Sequence, residues 1–320
     1  MRKKYFLLFI FILSSQFLKA ESENESIDKH LSVSEYYGRA MEALRESDWR
    51  ELIHHCRQVR IYYPTSHFAE ELSYYLGVGY YNKGDFETAD SYFSQYLRAQ
   101  ASPKFFEEAI SYKFNIAKQF ENGAKKHLFG ARNMPQWLPA KDEAIRIYDE
   151  VITSLPHHEV AAEALFRKAE LYAQLSDYKG SVEAYQTLIR RFPKHPLSSE
   201  SYLGILGVYL KQCQSKFPDP DYLDLAEINL RKFRRDFPGE PRINQAESTL
   251  LAMKEEFADE LFQIGRFYEK TKKPDSAAIY YSTIVIRYPE TRQAFLSKNR
   301  LEVMGREIPE PGMMAVPSDK

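Results

Sequence analysis

Residues 277–289 read AAIYYSTIVIRYP, and the pattern in this segment recurs along the chain. A small residue stands twelve positions before the closing proline, a bulky residue eight before it and an apolar residue five before it. Offsets of four and three place the three side chains on one face of a helix. The proline ends that helix because it lacks an N–H and disfavours helical geometry in the preceding residue. The pattern therefore predicts a short amphipathic helix before each proline.

Six copies share this spacing, with Ala101 in the proline position of the second. The triplets are Leu52/Cys56/Val59, Ala89/Phe93/Tyr96, Ala144/Tyr148/Val151, Ser181/Tyr185/Leu188, Ala226/Leu230/Phe233 and Ala277/Tyr281/Ile284. Another helical segment precedes each triplet, and turn residues separate the two at Gly84-Asp85, Ser176-Asp177 and Lys273-Pro274. Helix–turn–helix units of about 34 residues are typical of tetratricopeptide repeats. We therefore expect an all-α, right-handed superhelical solenoid of about six such helix pairs.

The distances between copies locate insertions and the ends of the array. The third unit is longer than the others, with its excess best placed at residues 123–138. A long helix is expected from about Arg242, and a final helix over Thr291–Met304 would cap the array, since each repeat buries its face only against its neighbours. The predicted solenoid thus spans residues 32–305. Residues 306–320 are expected to form a disordered tail.

The N-terminus has the pattern of a targeting segment. Arg2, Lys3 and Lys4 precede nine apolar residues and then a polar stretch that ends at Ala20. This predicts a secretory signal peptide over residues 1–20, followed by a polar leader over 21–31. A short uncleaved anchor is the alternative. Because the only cysteines are Cys56 and Cys213, we expect an exported periplasmic protein that is not a lipoprotein and has no direct lipid anchor.

Composition and missing motifs narrow the function. With 44 basic and 45 acidic residues, the chain has no excess of positive charge with which to bind nucleic acid. Two cysteines exclude a disulfide framework and a cysteine-built zinc site. The sequence contains no glycine-rich phosphate loop, Gly-x-Ser-x-Gly or His-Glu-x-x-His motif. We therefore expect no catalytic residues, no cofactor and no metal site.

The first helix of each tetratricopeptide unit lines a concave groove, and rings beside polar groups suit an extended peptide there. The alternative is a solvated face without a ligand. The expected groove residues are Tyr37, Met41, Arg45, Glu71, Tyr74, Tyr81, Asn82, Phe114 and Lys118.

Two other segments combine features of a binding surface. The third-unit insertion joins basic and apolar residues and could dock on a partner, or fold back on the repeats. Its candidate residues are Lys125, Lys126, Phe129 and Trp137. A basic cluster on one helix suits either an acidic partner or plain solvent exposure. That cluster contains Arg231, Lys232, Arg234 and Arg235.

The C-terminal repeat resembles a known family. Residues 256–268, then 277–294 with Arg287-Tyr288-Pro289-Glu290-Thr291, are similar to the last repeat of the BamD family of outer-membrane β-barrel assembly components. The turn Tyr63-Pro64-Thr65-Ser66 also resembles one that joins repeats in exported envelope proteins, including the CpoB-like coordinators of envelope constriction.

The BamD resemblance implies a non-catalytic scaffold at the periplasmic face of the outer membrane. It implies a BamA-like barrel-assembly partner on the C-terminal repeats and unfolded outer-membrane proteins in the N-terminal groove. The alternative function is a general envelope repeat adaptor serving division or secretion. A solenoid enzyme of cell-wall metabolism is a third, and the missing catalytic motifs count against it.

Overall fold

The computed structural model describes residues 31–99, 101–128, 134–214 and 219–310. The predicted signal peptide, residues 21–30 of the leader and residues 311–320 of the tail lie outside these ranges. The described chain forms two compact units, of which unit 1 ends at Ala140 and unit 2 begins at Lys141.

Unit 1 contains five described helices and a small antiparallel sheet. The helices are α1 (Val33–Glu46), α2 (Trp49–Tyr62), α3 (Phe68–Asn82), α4 (Phe86–Ala99) and α5 (Phe106–Glu121), and the strands are β1 (Lys125–His127) and β2 (Gln136–Pro139). Lys125 pairs with Pro139 and Lys126 with Leu138, and the register shifts between Lys126 and His127. The residues expected to form a loop at 123–138 thus contain a β-hairpin.

Unit 2 contains eight described helices. They are α6 (Lys141–Ser154), α7 (Glu159–Gln174), α8 (Tyr178–Arg191), α9 (Pro196–Cys213), α10 (Asp221–Asp236), α11 (Ile243–Lys270), α12 (Pro274–Arg287) and α13 (Arg292–Val303). The expected long helix is α11, and the expected final helix is α13, which Thr291 caps by accepting a hydrogen bond from the Ala294 N–H. Among the described helices, none combines the length and apolar character needed to cross a bilayer.

The repeat pattern is confirmed by the position of its triplets. Each triplet lies on the second helix of its repeat, and every one of these side chains is buried. The first and second helices pack together in five repeats. The third repeat is divided, because α5 is the last helix of unit 1 and α6 the first of unit 2. The all-α array of helix pairs is therefore confirmed.

Small residues on the first helices make room for the bulky triplet residues. A Cβ added to Gly77 would lie 2.8 Å from the ring of Phe93, and one added to Gly265 would lie 2.8 Å from the ring of Tyr281. Both contacts are closer than van der Waals packing allows, so the aromatic residue at the triplet centre fits because the facing residue has no side chain.

The turns between paired helices share one conformation. Ser47, Ser176 and Lys272 adopt positive φ within two residues of the ends of first helices, and Gly84 does the same between α3 and α4. An aspartate then caps several second helices: Asp48 accepts from two backbone N–H groups of α2, and Asp177 accepts from Gly180 N at 2.9 Å. These caps satisfy helix N–H groups that have no partner within the helix.

Candidate functional site

The predicted groove residues of unit 1 differ in exposure. Tyr37, Met41, Glu71, Tyr81 and Lys118 are half-buried, and Arg45 and Asn82 are exposed. Tyr74 and Phe114 are buried. The first two sets are therefore accessible from one side at least, while the last set belongs to the core.

Glu71 is the polar centre of the accessible part. Its carboxylate accepts a hydrogen bond from Tyr37 Oη at 3.2 Å and another from Lys104 Nζ at 3.0 Å. Burial and the neighbouring Glu71 carboxylate raise the pKa of Tyr37. The Tyr37 ring stacks on Phe68 at a centroid distance of 4.4 Å. A carboxylate, a hydroxyl and an ammonium group thus lie beside a pair of stacked rings. These groups come from α1, from α3 and from the segment before α5.

Tyr74 does not face an open groove, and that expectation is wrong. Only 8% of its surface is exposed, and its ring stacks on Phe105 at 4.5 Å. It also contacts Phe93 at 5.8 Å and Tyr96 at 5.5 Å. Burial is the largest cause of the raised pKa of Tyr74. The reason is that α3 packs against α2, α4 and α5, so a ring on its expected free face is covered.

On α5, the residue that extends the aromatic surface is Tyr112, which the sequence analysis missed. Its ring lies 5.1 Å from that of Tyr81 and stacks on Phe93 at 5.0 Å. The expected residue, Phe114, is buried, with Lys118 Nζ at 5.3 Å from its ring centre. Tyr112, which is half-buried, and not Phe114 is thus the ring of α5 that is accessible. An aromatic residue two positions before Phe114 was the available signal.

A buried ion pair lies behind these rings and was also missed. Lys113 is 1% exposed, and its ammonium group donates to Asp90 at 2.5 Å and to Ser94 Oγ at 2.6 Å. It joins α4 to α5. Lys113 stands four residues after Ala109 and four before Ala117, on the buried stripe of α5, and a lysine in such a position indicates a buried partner.

Strand β2 of the insertion exposes its apolar residues. Trp137 is 65% exposed, Lys125 is exposed and Lys126 is half-buried. Phe129 lies outside the described residues. His127 is the buried residue that holds the hairpin: Glu87 on α4 accepts from its backbone N–H at 2.8 Å and lies 3.0 Å from its Nδ1.

Unit 2 contains a second candidate surface, a groove of about 320 Å³ between α8, α9 and α10. Leu225 and Ile228 expose apolar side chains there, and Arg190, Lys232 and Arg235 add positive charge. The predicted basic cluster is thus divided: Arg231 and Arg234 line a different groove, on the side of α10 that faces α11.

Hydrogen bonds fix the floor of the unit 2 groove. Tyr202 donates to Asp236 at 2.6 Å, and Arg235 Nε donates to the same carboxylate at 2.7 Å. The Arg235 hydrogen bond lowers the pKa of Asp236. Asn229 donates to the Tyr202 carbonyl at 2.9 Å. The Asp236 carboxylate is therefore already paired. What the groove offers to a partner is apolar and basic side chains.

Both cysteines are buried as free thiols. Cys56 fills the centre of the first triplet and is fully buried, and burial raises the pKa of its thiol. Cys213 lies at the end of α9, where burial and the charge of Glu256 raise its pKa to about 11. Within the described ranges, no group of three or more histidine, cysteine, aspartate or glutamate side chains is arranged to hold a metal ion.

Comparison with known proteins identifies the family. The model of the YfiO family, described as outer membrane lipoprotein, matches residues 141–316, which is more than half of the chain. The chain belongs to the YfiO family. This is the BamD-like family that the C-terminal motifs resemble. The match begins at the first residue of unit 2, so the family pattern coincides with that unit.

Similarity to other known proteins is low. No curated protein matches the chain. A tetratricopeptide repeat protein from Parabacteroides merdae is 14% identical, with a TM-score of 0.37 over 86% of this chain and 99% of its own. A TPR repeats protein from Bacteroides fragilis is 10% identical, with a TM-score of 0.41 over 85% of this chain and 99% of its own.

The family and the helix pairs together define a protein-interaction scaffold of the tetratricopeptide type that is associated with the outer membrane. The family's description as a lipoprotein does not support our expectation that this chain is not one.

Proposed function

We propose that the chain is a non-catalytic periplasmic scaffold of outer-membrane protein assembly. In this role unit 2 docks on a BamA-like barrel-assembly protein, and the groove of unit 1 holds segments of unfolded barrel proteins. The observation that carries the proposal is the YfiO family match, which covers all the described helices of unit 2.

The α8–α10 groove is the surface of unit 2 best suited to the partner. Its exposed Leu225 and Ile228 can bury apolar side chains, and Arg190 and Lys232 can pair with carboxylates. The Asp236 carboxylate accepts hydrogen bonds from Tyr202 and Arg235. These bonds reduce its repulsion of an acidic partner segment. A partner segment with apolar residues flanked by aspartate or glutamate is the complementary chemistry.

This docking is tested by pull-down from solubilised envelopes. Arg190→Glu with Lys232→Glu reverses two charges in the groove, and we expect the recovery of the barrel protein to fall about tenfold or more. Arg191→Glu with Arg231→Glu is the matched control, because it makes the same charge change on the same two helices outside this groove. Equal recovery with both variants would place the interface elsewhere.

For the groove of unit 1, the accessible rings are the contacts that matter. Tyr37 and Tyr81 are half-buried, so each can cover a peptide side chain with its free face while remaining fixed by Phe68 and Tyr112 respectively. Glu71, held by Tyr37 and Lys104, offers a carboxylate to peptide N–H groups or basic side chains. An extended segment with alternating apolar and polar residues fits such a surface.

Titration with barrel-derived peptides tests this groove. We expect Tyr37→Ala with Tyr81→Ala to weaken binding at least tenfold, because each lost ring contact is worth roughly 1–3 kcal/mol. Tyr62→Ala, on the second helix α2, removes an exposed ring outside the groove and serves as control. Unchanged affinity in the double variant would remove the groove from the proposal.

The adaptor alternative predicts a different result in the same pull-down. Recovery of division or secretion components by the unaltered protein, without any barrel protein, would replace assembly with a general adaptor role.

A further inference from the structure

The β1–β2 hairpin of unit 1 has an unusual surface, and neither the family match nor the proposed docking surfaces include it. Met134, Trp137 and Leu138 are 42%, 65% and 39% exposed, so three large apolar side chains reach solvent within five consecutive positions. Apolar groups clustered in this way indicate an interaction surface.

The charge of the hairpin is of one sign. Between Asn122 and Ala140 the sequence contains Lys125, Lys126 and Arg132 and no acidic residue. In the sheet, Lys125 lies opposite Pro139 and therefore on the same face as Trp137, because side chains two positions apart on a strand share a face. Tryptophan next to lysine is the combination that favours the boundary between lipid headgroups and hydrocarbon.

The hairpin is also firmly positioned. Glu87 binds both the backbone and the ring of His127, and Asp85 lies 3.8 Å from the same Nδ1. At the far end, Leu128 N donates to the Pro135 carbonyl at 3.0 Å. A fixed hairpin presents its outer residues without the entropy loss of ordering a loop.

A lipid surface suits this hairpin better than an added protein strand. Pairing with a further strand needs backbone N–H groups along the edge of β2, but Pro139 has none, and neither does Pro135 immediately before the strand. Proline at an edge strand works against such pairing. The side chains of β2, in contrast, are all exposed.

We propose that the β1–β2 hairpin docks on an anionic bilayer, with Trp137 in the headgroup region and Lys125 against lipid phosphates. This inference uses the family's outer-membrane association and is independent of which protein binds unit 2.

Fluorescence of Trp137 tests the contact directly. The chain has two tryptophans, and Trp49→Phe leaves Trp137 as the only one. With vesicles of equimolar phosphatidylglycerol and phosphatidylethanolamine, we expect a blue shift of its emission and quenching by brominated lipid. With phosphatidylcholine vesicles we expect much weaker effects. All variants share one N-terminus, so any binding by that segment is common to them, while quenching of Trp137 is specific to the hairpin.

Charge variants complete the test. Lys125→Gln should weaken vesicle binding by about fivefold. Lys83→Gln, which removes one exposed positive charge elsewhere in unit 1, should leave it within twofold. Trp137 emission that neither shifts nor is quenched would overturn the proposal, even if the protein still recovers its barrel partner. Loss of the barrel partner with a normal vesicle response would count against the proposed assembly function alone.

Discussion

The two units use the same triplet pattern but bury different polar groups. In the described part of unit 1, the buried polar side chains include Lys113, Asp90, His127 and His55. In the described part of unit 2 they are serines, one threonine and one asparagine. Several of these neutral groups bond to backbone carbonyls, as Ser181 does to Ala169 at 2.8 Å and Asn229 to Tyr202.

The difference shows that the triplet pattern determines where helices form. It does not determine which polar side chains are buried between them. Unit 1 joins α4 to α5 through a buried ion pair and joins its hairpin to α4 through a histidine and a carboxylate. Removing one partner of a buried ion pair leaves an uncompensated charge, which is strongly destabilising. In the described part of unit 2, which carries the family pattern, the fully buried polar side chains are neutral, and losing a neutral hydrogen bond costs less.

The largest expected effect is therefore in the interior of unit 1. Lys113→Met leaves Asp90 buried without its closest cation and should lower the free energy of unfolding by about 3–5 kcal/mol. Asn229→Leu, which removes a neutral hydrogen bond in unit 2, should cost only about 1–3 kcal/mol. Urea denaturation with hydrogen exchange resolved by unit measures both.

The double variant Lys113→Met/Asp90→Leu provides the control for that prediction. It should recover most of the loss, because replacing both partners removes the uncompensated charge. A double variant as unstable as Lys113→Met would show that packing, and not charge, is what the lysine contributes.

A smaller effect is expected where the hairpin meets α4. His127→Ala removes the ring contact to Glu87 and should destabilise the hairpin by about 1.5–3 kcal/mol, since hydrogen bonds to charged groups are stronger than neutral ones. We expect faster hydrogen exchange in the amides of β1 and β2, with no change in α7 to α13. Unchanged exchange in the hairpin would show that the backbone bond to Glu87 is sufficient.

The helix caps should respond equally in the two units. Asp48→Ala in α2 and Asp177→Ala in α8 each remove side-chain acceptors from a helix N-terminus, at a cost of about 1 kcal/mol. The expected loss in thermal midpoint is similar for both. A clear difference between them would mean that the turns, like the interiors, differ between the units.

The smallest effect is a pH dependence at the surface of unit 2. The pKa of Asp236 is lowered from its ordinary 3.8, so its pairing is fully present above that value and is lost as the pH falls through the lower folded value. Solvent screening limits the contribution to less than about 1 kcal/mol. The difference in urea midpoint between the unaltered protein and Asp236→Asn should shrink in acid, and a constant difference would contradict this.

The sequence predicted the second helices well because proline and three spaced side chains suffice to define them. It predicted the first helices less well. In α3, every residue from Leu72 to Tyr80 is buried, so no periodicity separates a groove face from a core face, and Tyr74 was placed on the wrong side. The hairpin was missed because its strands are three and four residues long, too short for an alternating pattern.

The ion pair could have been found. Asp90 directly follows the small residue of the second triplet, and Lys113 occupies the apolar stripe of the next helix. The sequence did not show that these two helix faces contact each other, because that contact depends on how successive repeats stack. Tyr112 was missed for the same reason, since its exposure follows from the orientation of α5 against α4.

The shared left-handed turn has a consequence for engineering. Residues 123–140 follow the first helix of the third repeat, and the triplets on α4 and α6 remain buried, so the position after a first helix accepts added sequence. Longer loops cost little extra closure entropy. The Ser176 turn is thus a suitable place to graft a fluorescent reporter or an affinity tag, provided that Asp177 keeps its position as the first residue after the graft.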